Sequence, residues 1–139
     1  MVIDKILKGI YNKRFSSALS LLLAIEIFYF SSLPGARGVA SIPWLSIAYH
    51  FIVFFLFSFF LAFSLNNEKI DNCRTLLLII AIAIVYAILD EFHQMFVPLR
   101  DANINDILTD SAGIFSSVIV YIRIKLNNNH KSGGIVQTP

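Results

Sequence analysis

The sequence contains little charge and one cysteine. Asp, Glu, Lys and Arg make up 14% of its 139 residues, whereas soluble domains carry about 25%. The single cysteine, Cys73, excludes an internal disulfide bond and a CxxC metal or redox motif. No basic cluster with interleaved aromatic residues is present, which argues against a nucleic-acid partner. P-loop, HExxH and serine-elbow motifs are also absent, so the sequence does not support covalent catalysis.

Hydrophobic residues are abundant instead. They make up 57% of the chain, and the mean hydropathy is +0.73. A chain this apolar cannot cover a surface that faces water, so we expect its surroundings to be lipid. Four apolar segments have about the 20 residues that a membrane-spanning helix needs. They run from about Phe15 to Leu33, Leu45 to Leu65, Thr75 to Val97, and Ile104 to Ile124. The sequence therefore predicts an all-α integral membrane protein built as a four-helix bundle.

The distribution of positive charge predicts the orientation of these spans. Nine of the eleven Lys and Arg residues lie in the N-terminal segment, the second connection and the C-terminal segment, and the other two are Arg37 and Arg100. By the positive-inside rule, both termini are expected in the cytoplasm. We divide the chain into a basic interfacial segment (1–14), a four-span membrane domain (15–125) and a flexible C-terminal tail (126–139).

This orientation brings the polar residues of the spans to one depth, near the outer leaflet. On the third span, helical spacing puts Asp90 and Gln94 on one face and turns Glu91 about 100° away. The third and fourth spans are joined by a short connection, so their polar stripes are expected to face each other. The fourth-span stripe consists of Asp106, Asp110, Gly113 and Ser117, and the other two spans add Glu26 and His50.

The connection between the third and fourth spans contains a proline and an arginine. Pro98 suits the end of a helix because it lacks an N–H group. Arg100 is expected to be the counter-charge of the neighbouring acids, with a guanidinium fork suited to carboxylate or phosphate. Arg37 is a second candidate for this role. Gly113 is expected to let a neighbouring helix approach closely.

These residues resemble the VanZ-like family of small membrane proteins. The family pattern reads roughly D-E-x-x-Q-x-F-x-P-x-R, followed by D-x-x-x-[ND]-x-x-G. The chain matches it from Asp90 to Arg100 and from Asp106 to Gly113. Ser46 and Ile47 stand where the family often has Asp-Lys, and Asp110 stands where Asn is more frequent. The resemblance implies a four- or five-span membrane protein and a link to resistance against the glycopeptide antibiotic teicoplanin.

Three interpretations of the polar cluster remain open at this stage. In the first, the cluster binds a membrane lipid or a lipid-linked amphiphile at the outer face of the plasma membrane. In the second, it is an acid–base or metal-assisted enzyme that acts on a lipid or an envelope precursor. In the third, it is a polar network that only holds the helices in register.

Each interpretation assigns the same residues differently. No organic cofactor is predicted, but carboxylate oxygens suit a divalent metal. The catalytic candidates are Asp90, Glu91 and His50; the ligand-binding candidates are Arg100, Gln94, Asp106, Asp110, Arg37 and Glu26; the metal candidates are Asp90, Glu91, Asp106 and Asp110.

Overall fold

The described part of the protein is helical. The computed structural model describes residues 9–10, 12–34, 43–65, 73–100 and 102–133, and within them it contains four long helices and no strand. Each helix is long and apolar enough to cross a bilayer, which confirms the predicted all-α architecture with four candidate spans. The helices are α1 (Lys13–Ser31), α2 (Pro43–Leu65), α3 (Cys73–Gln94) and α4 (Ile104–Gly133).

Local sequence signals explain where three of these helices begin. Asn12 caps α1, and its side-chain oxygen accepts a hydrogen bond from the Arg14 amide at 3.0 Å. Asn103 has the same role for α4, where its oxygen accepts from the Asn105 amide at 3.0 Å. The helix α2 begins with Pro43, a residue favoured in the first turn because its missing N–H would have no partner there.

The connection between α3 and α4 turns sharply. The helix α3 ends at Gln94, four residues before Pro98, rather than at the predicted Val97. Leu99 has a φ of 61°, in the left-handed region that non-glycine residues rarely adopt. This turn directs the Arg100 side chain back towards the end of α1, where it donates to two backbone carbonyls.

The helix α2 is the central element of the bundle. It packs most extensively on α4 and α1, while α3 packs on α4 and α2. A middle core joins all four helices and includes Ile27, Phe54, Ala87 and Ile114. A second core, which includes Phe63 and Tyr121, lies towards the opposite end of the bundle from the connection between α3 and α4. Adjacent helices in the chain therefore run antiparallel.

Small residues bring α2 and α4 close together. Gly113 is buried, and a Cβ atom placed on it would lie 2.5 Å from the carbonyl oxygen of Phe51. One turn further along, the hydroxyls of Ser58 and Ser117 lie 2.6 Å apart, and both residues are buried. The close approach expected at Gly113 therefore involves α2, the helix that carries His50.

Large apolar side chains cover the outside of the helices. They include Leu22 on α1, Ile52 on α2, Val85 on α3 and Ile119 on α4, each more than half exposed in the isolated chain. Such a surface is unfavourable in water and favourable against lipid tails. The helix α4 also extends to Gly133, beyond the predicted end of the fourth span. The three-part division of the chain stays a prediction.

Candidate functional site

Buried polar residues gather at one end of the bundle, where α1 and α3 end and α2 and α4 begin. We call this region the polar end and define it by five side chains, each at most 5% exposed. They are His50, Asp90, Glu91, Gln94 and Asp110. Burying polar groups is costly unless they are hydrogen-bonded, so the partners of each side chain determine what the polar end can do.

His50 and Asp110 form a buried pair between α2 and α4. The His50 Nδ1 atom lies 3.0 Å from the Asp110 Oδ1 atom. An Asp carboxylate accepts at this position when the imidazole carries its proton on Nδ1, so the pair fixes the orientation of the ring and leaves Nε2 as the second functional atom. The Asp110 Oδ2 atom is buried and has no hydrogen-bond partner among the described residues.

Asp90, Gln94 and Arg100 form a chain of hydrogen bonds towards α1. The Gln94 Nε2 atom donates to Asp90 Oδ2 at 2.9 Å, and Arg100 Nη1 donates to Gln94 Oε1 at 3.2 Å. Arg100 also donates from Nη2 to the Phe30 carbonyl at 2.8 Å and from Nε to the Leu33 carbonyl at 3.1 Å. These carbonyls lie at the C-terminal end of α1, where a cation is favourable.

The contacts of Arg100 differ from the sequence-based expectation. Arg100 was expected to neutralise the neighbouring acids, but within the described ranges its hydrogen bonds go to two carbonyls and an amide oxygen. Among the described side chains of the polar end, the contact between a basic and an acidic group is His50–Asp110. The left-handed turn at Leu99 explains the difference, because it places the guanidinium beside the carbonyls of Phe30 and Leu33 at the C-terminal end of α1.

Glu91 contacts the beginning of α4. Its Oε2 atom accepts a hydrogen bond from the Asn103 backbone amide at 2.8 Å. Its Oε1 atom is buried and has no hydrogen-bond partner in the described part of the chain. One potential ligand atom from each of Glu91, His50 and Asp106 lies within 4.8 Å of the other two. Sequence spacing placed Glu91 about 100° away from Asp90 and Gln94 on α3. In the structure, Glu91 is the α3 residue that lies beside His50.

The polar stripes of α3 and α4 were predicted to face each other, but among the described residues their hydrogen bonds go to α1 and α2. On α4, Asp110 and Ser117 contact α2 through His50 and Ser58. On α3, the Tyr86 hydroxyl donates to the Ala24 carbonyl of α1 at 2.6 Å, and Gln94 connects to α1 through Arg100. The reason is the close packing of α4 on α2 at Gly113, which orients the α4 stripe towards α2.

The first helix adds two polar contacts. The Tyr49 hydroxyl donates to Glu26 Oε1 at 3.1 Å, so Glu26 is linked to the residue that precedes His50. His93 lies 3.0 Å from the Ser32 hydroxyl, and its ring stacks on Phe28 with a centroid distance of 4.8 Å. From the sequence, His93 ranks below His50 as a proton carrier because the family pattern leaves its position open, and Tyr49 is interpreted as an interfacial aromatic residue.

The structure brings most of the candidates together, in two groups. One group links α2, α3 and α4 through His50, Glu91, Asp106 and Asp110. The other links α3 to α1 through Asp90, Gln94 and Arg100. Of the four predicted metal candidates, Glu91 and Asp106 lie in a cluster with ligand-like spacing. Arg37 lies outside the described residues. The Asn103 amide is an additional contributor, which a capping residue before an apolar helix could have indicated.

Comparison with known proteins gives one family. No curated protein and no solved structure matches the chain. The family model described as VanZ/LLP1 matches residues 12–125, which include α1, α2, α3 and most of α4, and with them every residue of the polar end. The match covers well over half of the chain, so this helical membrane-type protein belongs to the VanZ/LLP1 family.

Proposed function

We propose that the protein binds the anionic head group of a membrane lipid or of a lipid-linked amphiphile at the polar end. The observation that carries the proposal is the set of hydrogen-bond partners of Arg100. Its guanidinium is held in place by the carbonyls of Phe30 and Leu33 and by Gln94. Within the described residues, no carboxylate hydrogen-bonds to it.

The remaining hydrogen-bonding capacity of Arg100 suits an oxyanion. A guanidinium has five N–H donors, and three of them take part in the contacts above. The two that remain are one on Nη1 and one on Nη2, and donors on these two nitrogens can bind phosphate or carboxylate together. Arg100 is also only half-buried, which leaves these donors accessible from the end of the bundle.

The surroundings of Arg100 suit the rest of an amphiphile. Phe92, Phe96 and Leu99 are more than half exposed beside the polar residues. A molecule with a charged head and an apolar tail can place the head at Arg100 and the tail along these side chains. Basic pockets between membrane spans are recognised lipid-binding sites.

We also propose a location for the site. The positive-inside count assigns both termini to the cytoplasm, so the polar end faces the outside of the plasma membrane. The family resemblance adds a role in resistance to teicoplanin-type antibiotics, which carry a lipid tail. That role predicts that expression of the chain raises the teicoplanin concentration needed to stop growth of a susceptible strain, and that Arg100→Ala removes the increase.

Mass spectrometry of lipids that co-purify with the protein tests the binding proposal. The wild type should retain an anionic amphiphile that Arg100→Ala loses. Arg74→Ala is the matched control, because it removes an exposed arginine from the opposite end of α3. Equal retention by the wild type and Arg100→Ala would refute the proposal. Loss of thermal stability in Arg100→Ala, with no anionic amphiphile retained by the wild type, would indicate a purely structural network.

A second candidate function is acid–base chemistry on an envelope lipid or precursor. The buried His50–Asp110 pair favours it, because a carboxylate that orients an imidazole is a frequent arrangement in general acid–base catalysis. Glu91 or Asp90 would then act as the base. Overexpression should lead to accumulation of an altered envelope lipid, and Glu91→Gln should abolish that change. An unchanged lipid profile on overexpression would argue against the enzyme.

A further inference from the structure

The side chains of His50, Glu91 and Asp106 come from three different helices and meet at the polar end. One potential ligand atom of each lies within 4.8 Å of the other two. His50 and Glu91 are buried, and Asp106 is half-buried, so the cluster is enclosed on the bundle side and open at the Asp106 side. An enclosed cluster with one open side is accessible to a small ligand.

The hydrogen bonds around the cluster orient its members as metal ligands. A histidine that binds a metal usually donates its other ring N–H to a carboxylate, and His50 Nδ1 has that contact with Asp110 Oδ1 at 3.0 Å. This contact leaves Nε2 as the nitrogen that can bind an ion. Asp110 would thus orient His50 without binding the ion itself.

Glu91 supplies an independent indication of a ligand. Its side chain is 3% exposed, Oε2 is fixed by the Asn103 amide at 2.8 Å, and the buried Oε1 has no partner among the described residues. A buried carboxylate oxygen without a partner carries a desolvation cost that a cation would remove. The Asp106 carboxylate lies beside it, so two acids share one small space.

From these contacts we propose that His50, Glu91 and Asp106 form a binding site for a divalent transition-metal ion, with Zn²⁺ as the representative ion. One imidazole nitrogen and two carboxylates favour Zn²⁺ or Mn²⁺ over Mg²⁺ and Ca²⁺, which prefer oxygen ligands alone. Bonds of about 2.0–2.2 Å require ligand atoms closer together than 4.8 Å, which is the upper limit of their present separations, and the half-buried Asp106 side chain has the most room to adjust. Three protein ligands leave one coordination position for water or for a ligand oxygen.

The proposed metal site is independent of head-group binding at Arg100. Arg100 hydrogen-bonds to α1 carbonyls and to Gln94, while the metal site is composed of residues of α2, α3 and α4. A metal titration without added phospholipid therefore tests the ion site alone, and lipid retention by Arg100 variants tests the other proposal alone.

Calorimetric titration with ZnCl₂ is the direct test. The full-length chain is purified in detergent, its affinity tag is removed, and it is stripped of metals with a chelator. The wild type should bind one equivalent of Zn²⁺, and more tightly than Mg²⁺. Asp110→Asn should weaken binding by about 10–100-fold, as expected for an outer-shell partner, and His50→Asn should weaken it more. His93→Asn is the matched control and should bind as the wild type does, because His93 contacts Ser32 and Phe28 instead.

Asp106→Asn keeps the test decisive if substitution of a buried residue prevents folding. Asp106 is half-buried and Asn has nearly the same shape, so the variant should keep the helical circular dichroism of the wild type. It should nevertheless lose Zn²⁺ binding. In a parallel sample loaded with Co²⁺ instead of Zn²⁺, the visible absorption bands of the bound ion should also be lost. Absence of a one-equivalent Zn²⁺ site in the wild type would overturn the proposal. So would wild-type affinity in a folded Asp106→Asn variant, or equal losses in His50→Asn and His93→Asn.

Discussion

Replacement of Gly113 by alanine tests the packing that positions His50 against Asp110. A Cβ at position 113 would lie 2.5 Å from the Phe51 carbonyl oxygen and 3.1 Å from the Phe55 nitrogen, whereas ordinary contact begins at 3.4 Å. The nearest contact is thus about 0.9 Å too short. Both obstructing atoms belong to the α2 backbone, so rotation of a side chain cannot relieve the overlap. The helices α2 and α4 must separate.

Two opposing effects set the size of the change in stability. Alanine is favoured over glycine inside a helix by about 1 kcal/mol. Forcing an extra methyl group into a packed interface costs about 1–3 kcal/mol. Separation of the helices also weakens the His50–Asp110 and Ser58–Ser117 contacts on either side of Gly113, and a hydrogen bond contributes about 0.5–1.5 kcal/mol. Gly113→Ala should therefore lower the free energy of unfolding by about 1–2 kcal/mol.

Reversible unfolding in mixed detergent micelles, followed by circular dichroism, measures this quantity. Gly9→Ala is the matched control, since Gly9 is also helical and its Cβ would meet the Phe15 ring at an ordinary 3.8 Å. The control should be as stable as the wild type or slightly more stable. If Gly113→Ala gains the stability that helix propensity alone predicts, the close approach of α2 and α4 at this position is refuted.

Three further predictions concern a helix cap, a strained residue and the topology. Asn103→Ala should destabilise the protein by about 1 kcal/mol because it removes the N-cap of α4, whereas Asn103→Gly should cost only a few tenths; equal losses in an unfolding assay would contradict the capping role. Leu99→Gly should raise the free energy of unfolding by up to about 1 kcal/mol, since Leu99 is 75% exposed and its φ of 61° is unfavourable for a residue with a side chain; a loss of stability would show that the side chain matters more than the backbone. A reporter fused after Lys125 should be active in the cytoplasm, and an extracellular reporter would refute the assigned orientation.

The contacts of the polar end also have a consequence for the purely structural interpretation. The hydrogen bonds of Asp90, Gln94 and Arg100 connect α3 to carbonyl groups at the C-terminal end of α1. That group has a structural role in any case. Among the described residues, the other group retains two buried carboxylate oxygens without hydrogen-bond partners, on Glu91 and Asp110. A network that served only to hold helices together would gain by pairing them.

The sequence alone determined the number and type of the membrane-length helices in the described residues, but not the ends of α3 and α4. A span needs about 20 apolar residues, and each of the four segments meets this requirement without reference to its neighbours. It also determined that the polar residues meet at one end, because alternating spans bring the end of α3 and the beginnings of α2 and α4 to the same depth. Pattern and spacing further identified the VanZ/LLP1 family that the family model shows.

Only the tertiary structure decided which polar residues are partners. Helical periodicity fixes the angle between two side chains on one helix, but not the rotation of that helix against its neighbours. That rotation depends on packing, above all on the contact between Gly113 and the α2 backbone, which orients Asp110 towards His50. It also makes Glu91, rather than Asp90, the neighbour of Asp106. The contacts of Arg100 depend on a single left-handed residue, Leu99. The sequence pattern does not reveal this conformation, because leucine rarely adopts a positive φ.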